Sequence, residues 1–372
     1  MKFYCQKSDL SEAISTVMKA IGRNSTSKLL ECILIETNDN KIKLTGFDMV
    51  TGIETDVVAN IFEEGSVAVE SKIFNDIIRK LPEENIDISV DSNFQLSIKS
   101  GSVNFNIRGL DGETYPKIPS VESNDMKDNS IVIGQKILKS MIAHTSFAVS
   151  NDTTRDKLTG LNLISDGKSL TMVAIDGYRM ALNCESMGDN FPTMNIIIPG
   201  KSMNELSKIL KDDDESVVNV FYSNTQILFK MEGVSLTSRL LQGDFVNFNT
   251  IIVRNPKTIM NIARKNLMDS IDRAALLIMA DERRCPVSLV MSDNTTLTVS
   301  ANTETGSHKE EIDITVEGEM IDIDFNSRYF LDALKIIDDD EIKIEFNGSQ
   351  GPCIIKPVEG EKFLYLILPI RR

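Results

Sequence analysis

The sequence predicts an α+β chain of three tandem similar domains, each with two helices on antiparallel sheets. Three observations carry that expectation. An amphipathic helix signal returns with a period of 127 to 129 residues, each return is followed by strand pairs of alternating polarity, and a second helix closed by an acidic turn follows at near-constant spacing.

The first helix reads "DLSEAISTVMKAI" from Asp9, "KILKSMIAHTSFAV" from Lys136 and "NLMDSIDRAALLI" from Asn266, with Leu10, Leu138 and Leu267 in equivalent places. Two strands joined by a polar turn come next, "CILIETNDNKIKLTGFD", "LNLISDGKSLTMVAIDG" and "VSLVMSDNTTLTVSANT", the second strand ending at Asp48, Asp176 and Asn302. The second helix and its acidic turn then lead into further strands: "KIFNDIIRKLPEENIDISV", "KSMNELSKILKDDDESVVNVF" and "SRYFLDALKIIDDDEIKIEF". Leu81, Leu210 and Ile337 match in these segments. Alternation at Ile33 and Ile35, and at Ile342, Ile344 and Phe346, puts one strand face on a core, where the helices must also bury their apolar stripes. The helix-then-strands unit occurs twice per copy, six times in all. The pattern lapses over Ile118–Ser130 and Val253–Ile259, so the expected domains are 1–122, 128–253 and 254–372.

A chain of 372 residues with 41% hydrophobic and 26% charged residues has the composition of an ordinary globular protein. No stretch reaches the ~20 apolar residues of a membrane-spanning helix. The opening "MKFYCQKSDLSEA" lacks the apolar core and cleavage site of a secretory signal, so the expectation is a cytoplasmic protein with no membrane partner. Cys5, Cys32, Cys184, Cys285 and Cys353 are scattered with no C-x-x-C pair, which argues against a disulfide framework and a zinc site. With His144 and His308 the only histidines, imidazole-based metal or acid/base chemistry has little material. No metal or cofactor is expected.

The net charge is −15, but it is unevenly distributed. Helix windows 10–28, 72–80, 135–147, 200–211, 264–275 and 327–336 hold sixteen basic and six acidic residues, a net +10 that leaves −25 for the rest. One reading is that helix ends collect lysine while strand turns collect aspartate. The sharper reading is a common basic helical surface facing phosphate, with an acidic outer surface; such contacts attract DNA without reading its sequence.

Motifs that resemble catalytic ones have structural explanations. "KDDDES" (211–216) and "IDDDEI" (337–342) occupy the turn between a helix and a strand, where solvated turn formers belong. "DGYR" (176–179) is either an ordinary turn or a built site. There is no GxxxxGK[ST] loop and no nucleophile with a nearby histidine in the sequence.

The triple repeat, the basic helices, "AIDGYRMAL" and the terminal "YLILPIRR" together resemble the bacterial DNA polymerase III beta subunit family over the full length. The resemblance implies a DNA clamp fold: three domains in a crescent, two chains closing head to tail into a ring with helices lining the hole. It implies a non-catalytic sliding clamp that encircles double-stranded DNA and tethers the replicative polymerase. Partners would be the DNA polymerase III alpha subunit, the clamp loader, repair polymerases and other proteins with a clamp-binding motif.

The family's peptide groove would map here to Leu158, Ile175, Gly177, Tyr178, Arg179, Met180, Val246 and Ile251, with Asn326, Tyr329, Pro352, Leu366, Ile367, Leu368, Pro369, Ile370 and Arg371. Three positions depart from its pattern: Tyr178 stands for a frequent histidine, Val246 for a proline and Thr250 for an expected arginine. Ring closure would set Phe105 and Ile107 of one chain against Leu276 and Leu277 of another. DNA contacts would fall on Arg23, Asn24, Arg155, Lys157 and Lys201. Two alternatives stand beside this reading, a non-clamp scaffold displaying peptide grooves and a metal-dependent hydrolase built on the acidic turns.

Overall fold

The computed structural model describes residues 1–22, 27–119, 129–189, 191–279 and 286–371. They form two compact units, Met1–Lys136 with Lys201–Leu240, and Ile137–Gly200 with Leu241–Arg372.

The first unit is built on a 13-stranded antiparallel sheet. Its main path runs Ser130–Gly134, Val217–Tyr222, Gln226–Met231, Val234–Arg239, Thr51–Glu63, Lys2–Gln6, Asn85–Val90, Gln95–Ser100, Val103–Arg108. The long strand Thr51–Glu63 joins two repeats: it pairs with Lys2–Gln6 of its own repeat and, in the register Gly52↔Thr237 and Ile53↔Leu236, with a strand of the next. The second unit has a nine-stranded sheet, Met194–Pro199, Gly160–Ser165, Ser169–Ile175, Arg179–Ser186, Phe363–Ile367, Cys353–Pro357, Glu341–Phe346, Thr258–Ala263, Thr315–Gly318, and a four-stranded sheet. Here Arg179–Ser186 pairs with Phe363–Ile367, again across a repeat boundary. Each unit thus holds one outer repeat and half of the middle one, because edge strands of successive repeats satisfy each other's backbone groups at these two seams.

Among the described residues six helices lie on these sheets: α1 (Lys7–Val17), α2 (Ser71–Lys80), α3 (Gln135–Ser146), α4 (Gly200–Ser207), α5 (Arg264–Met279) and α6 (Ser327–Leu334). α1 buries Leu10, Ala13, Ile14 and Val17, one i, i+3, i+4, i+7 stripe, against α2 and the strand Thr51–Glu63. The repeat-equivalent Leu10, Leu138 and Leu267 are fully buried, and so, within 3%, are Leu81, Leu210 and Ile337. α2 is capped by Glu70, whose carboxylate accepts from the N–H groups of Lys72 and Ile73, and it stops at Leu81, ahead of Pro82.

Four of these helices are shorter than the sequence windows, while α2 and α5 are longer, and the charge count changes accordingly. Within the observed bounds they hold eleven basic and seven acidic residues, a net +4. Lys19, Lys208, Lys211 and Lys335 sit in segments just past helix ends and Lys28 opens a separate 3-10 turn, so much of the positive charge lies outside the helices themselves. The third-copy strand also runs further than expected: Asn302 lies inside Thr296–Thr303, while Asp48 and Asp176 fall in turns.

The acidic turn after α4 folds on itself. Asp213 accepts hydrogen bonds from the N–H groups of Glu215 and Ser216 at 3.1 and 2.6 Å, as a turn aspartate does. Cys5, Cys32 and Cys353 are buried thiols, and burial pushes Cys5 up to about 12 and Cys32 to about 11. Cys285 lies outside the described residues. Among those residues no cluster of three or more His, Cys, Asp or Glu is placed to hold a metal, and no helix is long and apolar enough to cross a membrane.

Candidate peptide-docking groove

In the second unit, four neighbouring strands put apolar side chains on both faces. Registers Ile175↔Met180, Val173↔Leu182, Met180↔Leu366, Leu182↔Leu364 and Leu366↔Ile354 align one face as an apolar floor, since strand side chains alternate. Val173, Ile175, Met180, Ile354 and Leu366 are buried there with Leu158. Phe245, Phe248, Ile251, Ile252 and Val253, from the segment joining the second and third repeats, pack over this floor half-buried. Beside it opens a cavity of about 750 Å³ lined by Thr171, Leu182, Cys184, Phe248, Ile252 and Leu364, among others. A larger cavity of about 1290 Å³, in the first unit, is lined mostly by polar residues such as Lys7, Ser11, Lys208 and Lys211; it lacks the apolar floor that anchors a peptide side chain.

The opposite face of the same strands belongs to the core. There Phe363 and Tyr365 stack, and the buried His144 of α3 places Nδ1 2.5 Å from the Tyr365 hydroxyl. Burial holds the His144 pKa below its usual value and raises that of Tyr365. Ile367 alternates with Leu366 and is buried on this core side, so it reaches the groove through its backbone only.

The rim is built by the turn Asp176–Arg179. Asp176 Oδ1 accepts from the N–H groups of Tyr178 and Arg179 at 2.8 and 2.9 Å, and Gly177 takes φ +95°, a left-handed conformation that suits glycine. The turn leaves Tyr178 63% exposed and stacked on Tyr329 of α6, centroids 6.3 Å apart. Burial, aided by the Asp176 charge, raises the Tyr329 pKa. Asn326 caps α6 through the N–H of Arg328, and Pro352 sits half-buried just before the strand Cys353–Pro357.

The terminal strand ends at Ile367, and the chain continues as a lip. Leu368 N–H donates to Tyr178 C=O at 2.9 Å and Ile370 N–H to Asp324 C=O at 2.8 Å, while Pro369 between them has no N–H to give. Leu368, Ile370 and Arg371 are exposed, as is Val246 on the facing segment. Thr250 is exposed and donates its hydroxyl to Asn247 C=O.

Residues expected at DNA fall in three places. Lys201, at the start of α4, is ion-paired with Asp48 and remains 59% exposed. Arg155 and Lys157 lie by the groove: a side chain at Gly177 would meet the Arg155 guanidinium at 3.1 Å, and one at Gly243 would meet Lys157 Nζ at 2.6 Å. Arg23 and Asn24 lie outside the described residues. Phe105 and Ile107 are on Val103–Arg108, the last strand of its sheet; Leu276, 70% exposed, and Leu277 are on α5.

Sequence reasoning missed Val173, Leu182, Ile354, Leu364 and the half-buried Phe248, Ile252 and Val253. The signal was present in the unbroken apolar run Phe363–Leu368, which marks a strand buried on both faces. It also missed Asp332 and Phe147, which the sequence places far from the turn they serve.

Family models for the DNA polymerase III beta subunit match as N-terminal domain over residues 1–119, central domain over 132–247 and C-terminal domain over 249–371. The chain belongs to the DNA polymerase III beta subunit family. A beta sliding clamp of Staphylococcus aureus is 36% identical over 380 aligned residues, covering 100% of this chain and 99% of that one. Solved structures agree: a putative DNA polymerase III beta subunit from Eubacterium rectale superposes with a TM-score of 0.95 at 35% identity over 100% of both chains. The DNA polymerase sliding clamp of Bacillus subtilis gives 0.94 at 34%, covering 100% of this chain and 99% of that one. Membership makes the chain a sliding clamp, a non-catalytic processivity factor of DNA polymerase III, and disfavours the scaffold and hydrolase readings. The family works as a homodimeric ring around DNA that serves polymerases.

Proposed function

We propose that the apolar floor and its rim are the groove in which this clamp holds partner peptides. The observation that carries the reading is a buried apolar surface, Val173, Ile175, Met180, Ile354 and Leu366, bordered by the exposed Tyr178, Val246, Leu368 and Ile370. Such a trough accepts a Leu or Phe side chain and excludes water around it. Its occupants are motifs of the DNA polymerase III alpha subunit, the clamp loader and repair polymerases; Tyr178, Val246 and Thr250 tune which peptide is preferred.

The three domains are 1–122, 128–253 and 254–372. Two chains close by setting the edge strand bearing Phe105 and Ile107 beside Leu276 and Leu277. Lys201, with Arg23 and Asn24, contacts phosphates weakly and without sequence preference; the closeness of Arg155 and Lys157 to Gly177 and Gly243 supports a second duty for them at the groove rim. The protein acts in the cytoplasm at the nucleoid.

The test is retention on nicked circular plasmid after loading, with release on linearisation, run alongside a Leu368→Ser variant. Topological binding predicts release of the loaded wild-type protein from linear DNA, and the groove reading predicts that the variant alone loses loading and polymerase stimulation. Tight binding to linear DNA would refute the clamp assignment; full stimulation by Leu368→Ser would refute the groove.

A further inference from the structure

Arg179 lies within the groove turn, yet its guanidinium is engaged inside the protein. Nε is 2.9 Å from Asp176 Oδ2, Nη1 is 2.6 Å from Asp332 Oδ2 on α6, and Cζ sits 4.5 Å from the Tyr329 ring centroid and 5.4 Å from that of Phe147. The side chain is only 10% exposed. In its strand Arg179 alternates with Met180 and pairs with Ile367, which puts it on the core face, opposite the apolar floor. A planar cation with two carboxylates and two rings around it has little left to offer a ligand.

The first unit supports the same role by different chemistry. Asp48, 128 residues before Asp176, accepts from the N–H groups of Val50 and Thr51 at 3.1 and 2.7 Å. Thr51, in the place of Arg179, bonds Ser202 Oγ at 2.6 Å, and Ser202 is 127 residues before Tyr329. Lys201 of α4 pairs with Asp48 itself. In both units the turn aspartate and the residue three further on fasten a strand turn to the second helix of the following repeat. That fastening exists in the first unit, where Thr45, Gly52 and Thr237 stand for the floor's Val173, Met180 and Leu366 while Phe47 and Leu228 stand for Ile175 and Ile354, so it is found with and without a continuous apolar floor and belongs to the seam.

Resting on the groove reading above, we propose that Arg179 is a positioning residue: it clasps the Asp176 turn to α6 and thereby holds Tyr329 and Tyr178 upright at the rim, without touching the bound peptide. Asp332, which no peptide reaches on this account, is then as necessary as Arg179.

The experiment measures anisotropy of a labelled decapeptide whose only apolar residues are Leu and Phe, against full-length Arg179→Gln, Asp332→Asn, the double variant, Arg179→Lys and Leu368→Ser. Positioning predicts that either single substitution weakens binding on the order of tenfold and that the double is no worse than the singles. Lysine restores part of the loss, and the near-UV tyrosine dichroism changes alike in both single variants. It also predicts the same wild-type to Arg179→Gln ratio for a neutral and an acidic decapeptide. Wild-type affinity in Asp332→Asn, additive losses in the double variant, or a ratio that collapses with the neutral peptide would each overturn it in favour of direct contact. Undiminished binding by Leu368→Ser would instead sink the groove reading, whatever the Arg179 variants do.

Discussion

Two truncations separate the terminal strand from its lip. Ending the chain after Ile367 removes two backbone hydrogen bonds, Leu368 to Tyr178 at 2.9 Å and Ile370 to Asp324 at 2.8 Å, along with side chains more than a third exposed. At about 1 kcal/mol net for each such bond, the loss is about 1–2 kcal/mol. Ending after Tyr365 also deletes Leu366 and Ile367, 2% and 1% exposed, from a strand paired on both sides. Removing a buried Leu or Ile side chain costs about 2–5 kcal/mol, so the pair costs roughly 4–10, comparable with the roughly 5–15 kcal/mol that holds a typical domain folded. The assays are urea denaturation followed by far-UV dichroism, sedimentation velocity and peptide anisotropy. The chain ending at Ile367 should fold and dimerise while losing about tenfold or more in peptide affinity; the chain ending at Tyr365 should lose cooperative unfolding of the second unit. Full peptide affinity in the first would remove the lip from the groove, and an unshifted urea midpoint in the second would refute the two-sided burial of that strand.

Leu276→Lys, at a side chain 70% exposed on α5, should leave the urea midpoint unchanged and convert the sedimenting species to a monomer; a persisting dimer would move the joint elsewhere. The buried His144 has its pKa lowered, so the unfolded chain takes up the proton more readily. Stability tied to it is therefore complete above about pH 6.5, the unfolded value, and falls as the pH drops below that; His144→Gln should flatten the fall in urea midpoint between pH 7 and 5.5, and an unaltered slope would assign it to other groups. Asp213→Ala should change neither plasmid retention nor peptide affinity, because its carboxylate serves its own turn; a loss of either would restore a functional role to the acidic turns.

Repeat order was legible because the periodicities of helix and strand are set by backbone geometry, and Leu10, Leu138 and Leu267 are all fully buried as their spacing implied. Several helix windows were too generous at their C-terminal ends, though that of α5 stopped four residues short: Lys19 and Lys208 continue the composition of α1 and α4 but lie in a 3-10 turn and a loop. The family resemblance named part of the candidate groove's lining and passed over Val173, Leu182 and Leu364, since a sequence does not say which face of a doubly buried strand meets a helix. Ile367 shows the same ambiguity from the other side. Arg179 was expected among the peptide-binding residues and its engagement with Asp332 was not foreseen, because Asp332 is 153 residues away and the strand pairing of Arg179–Ser186 with Phe363–Ile367 brings the two repeats together.

The two seams differ at the floor, where Val173, Met180 and Leu366 of the second stand for Thr45, Gly52 and Thr237 of the first. Met180 belongs to the apolar floor of the second seam, whereas at its equivalent in the first, Gly52, Ile118 of the chain itself packs close: a side chain on Gly52 would meet Ile118 Cδ1 at 2.4 Å. If the groove proposed at the second seam is the one seat of a protomer, enzymes sharing the clamp would take it by turns, and which of them works there would follow from abundance and from how quickly the present holder lets go.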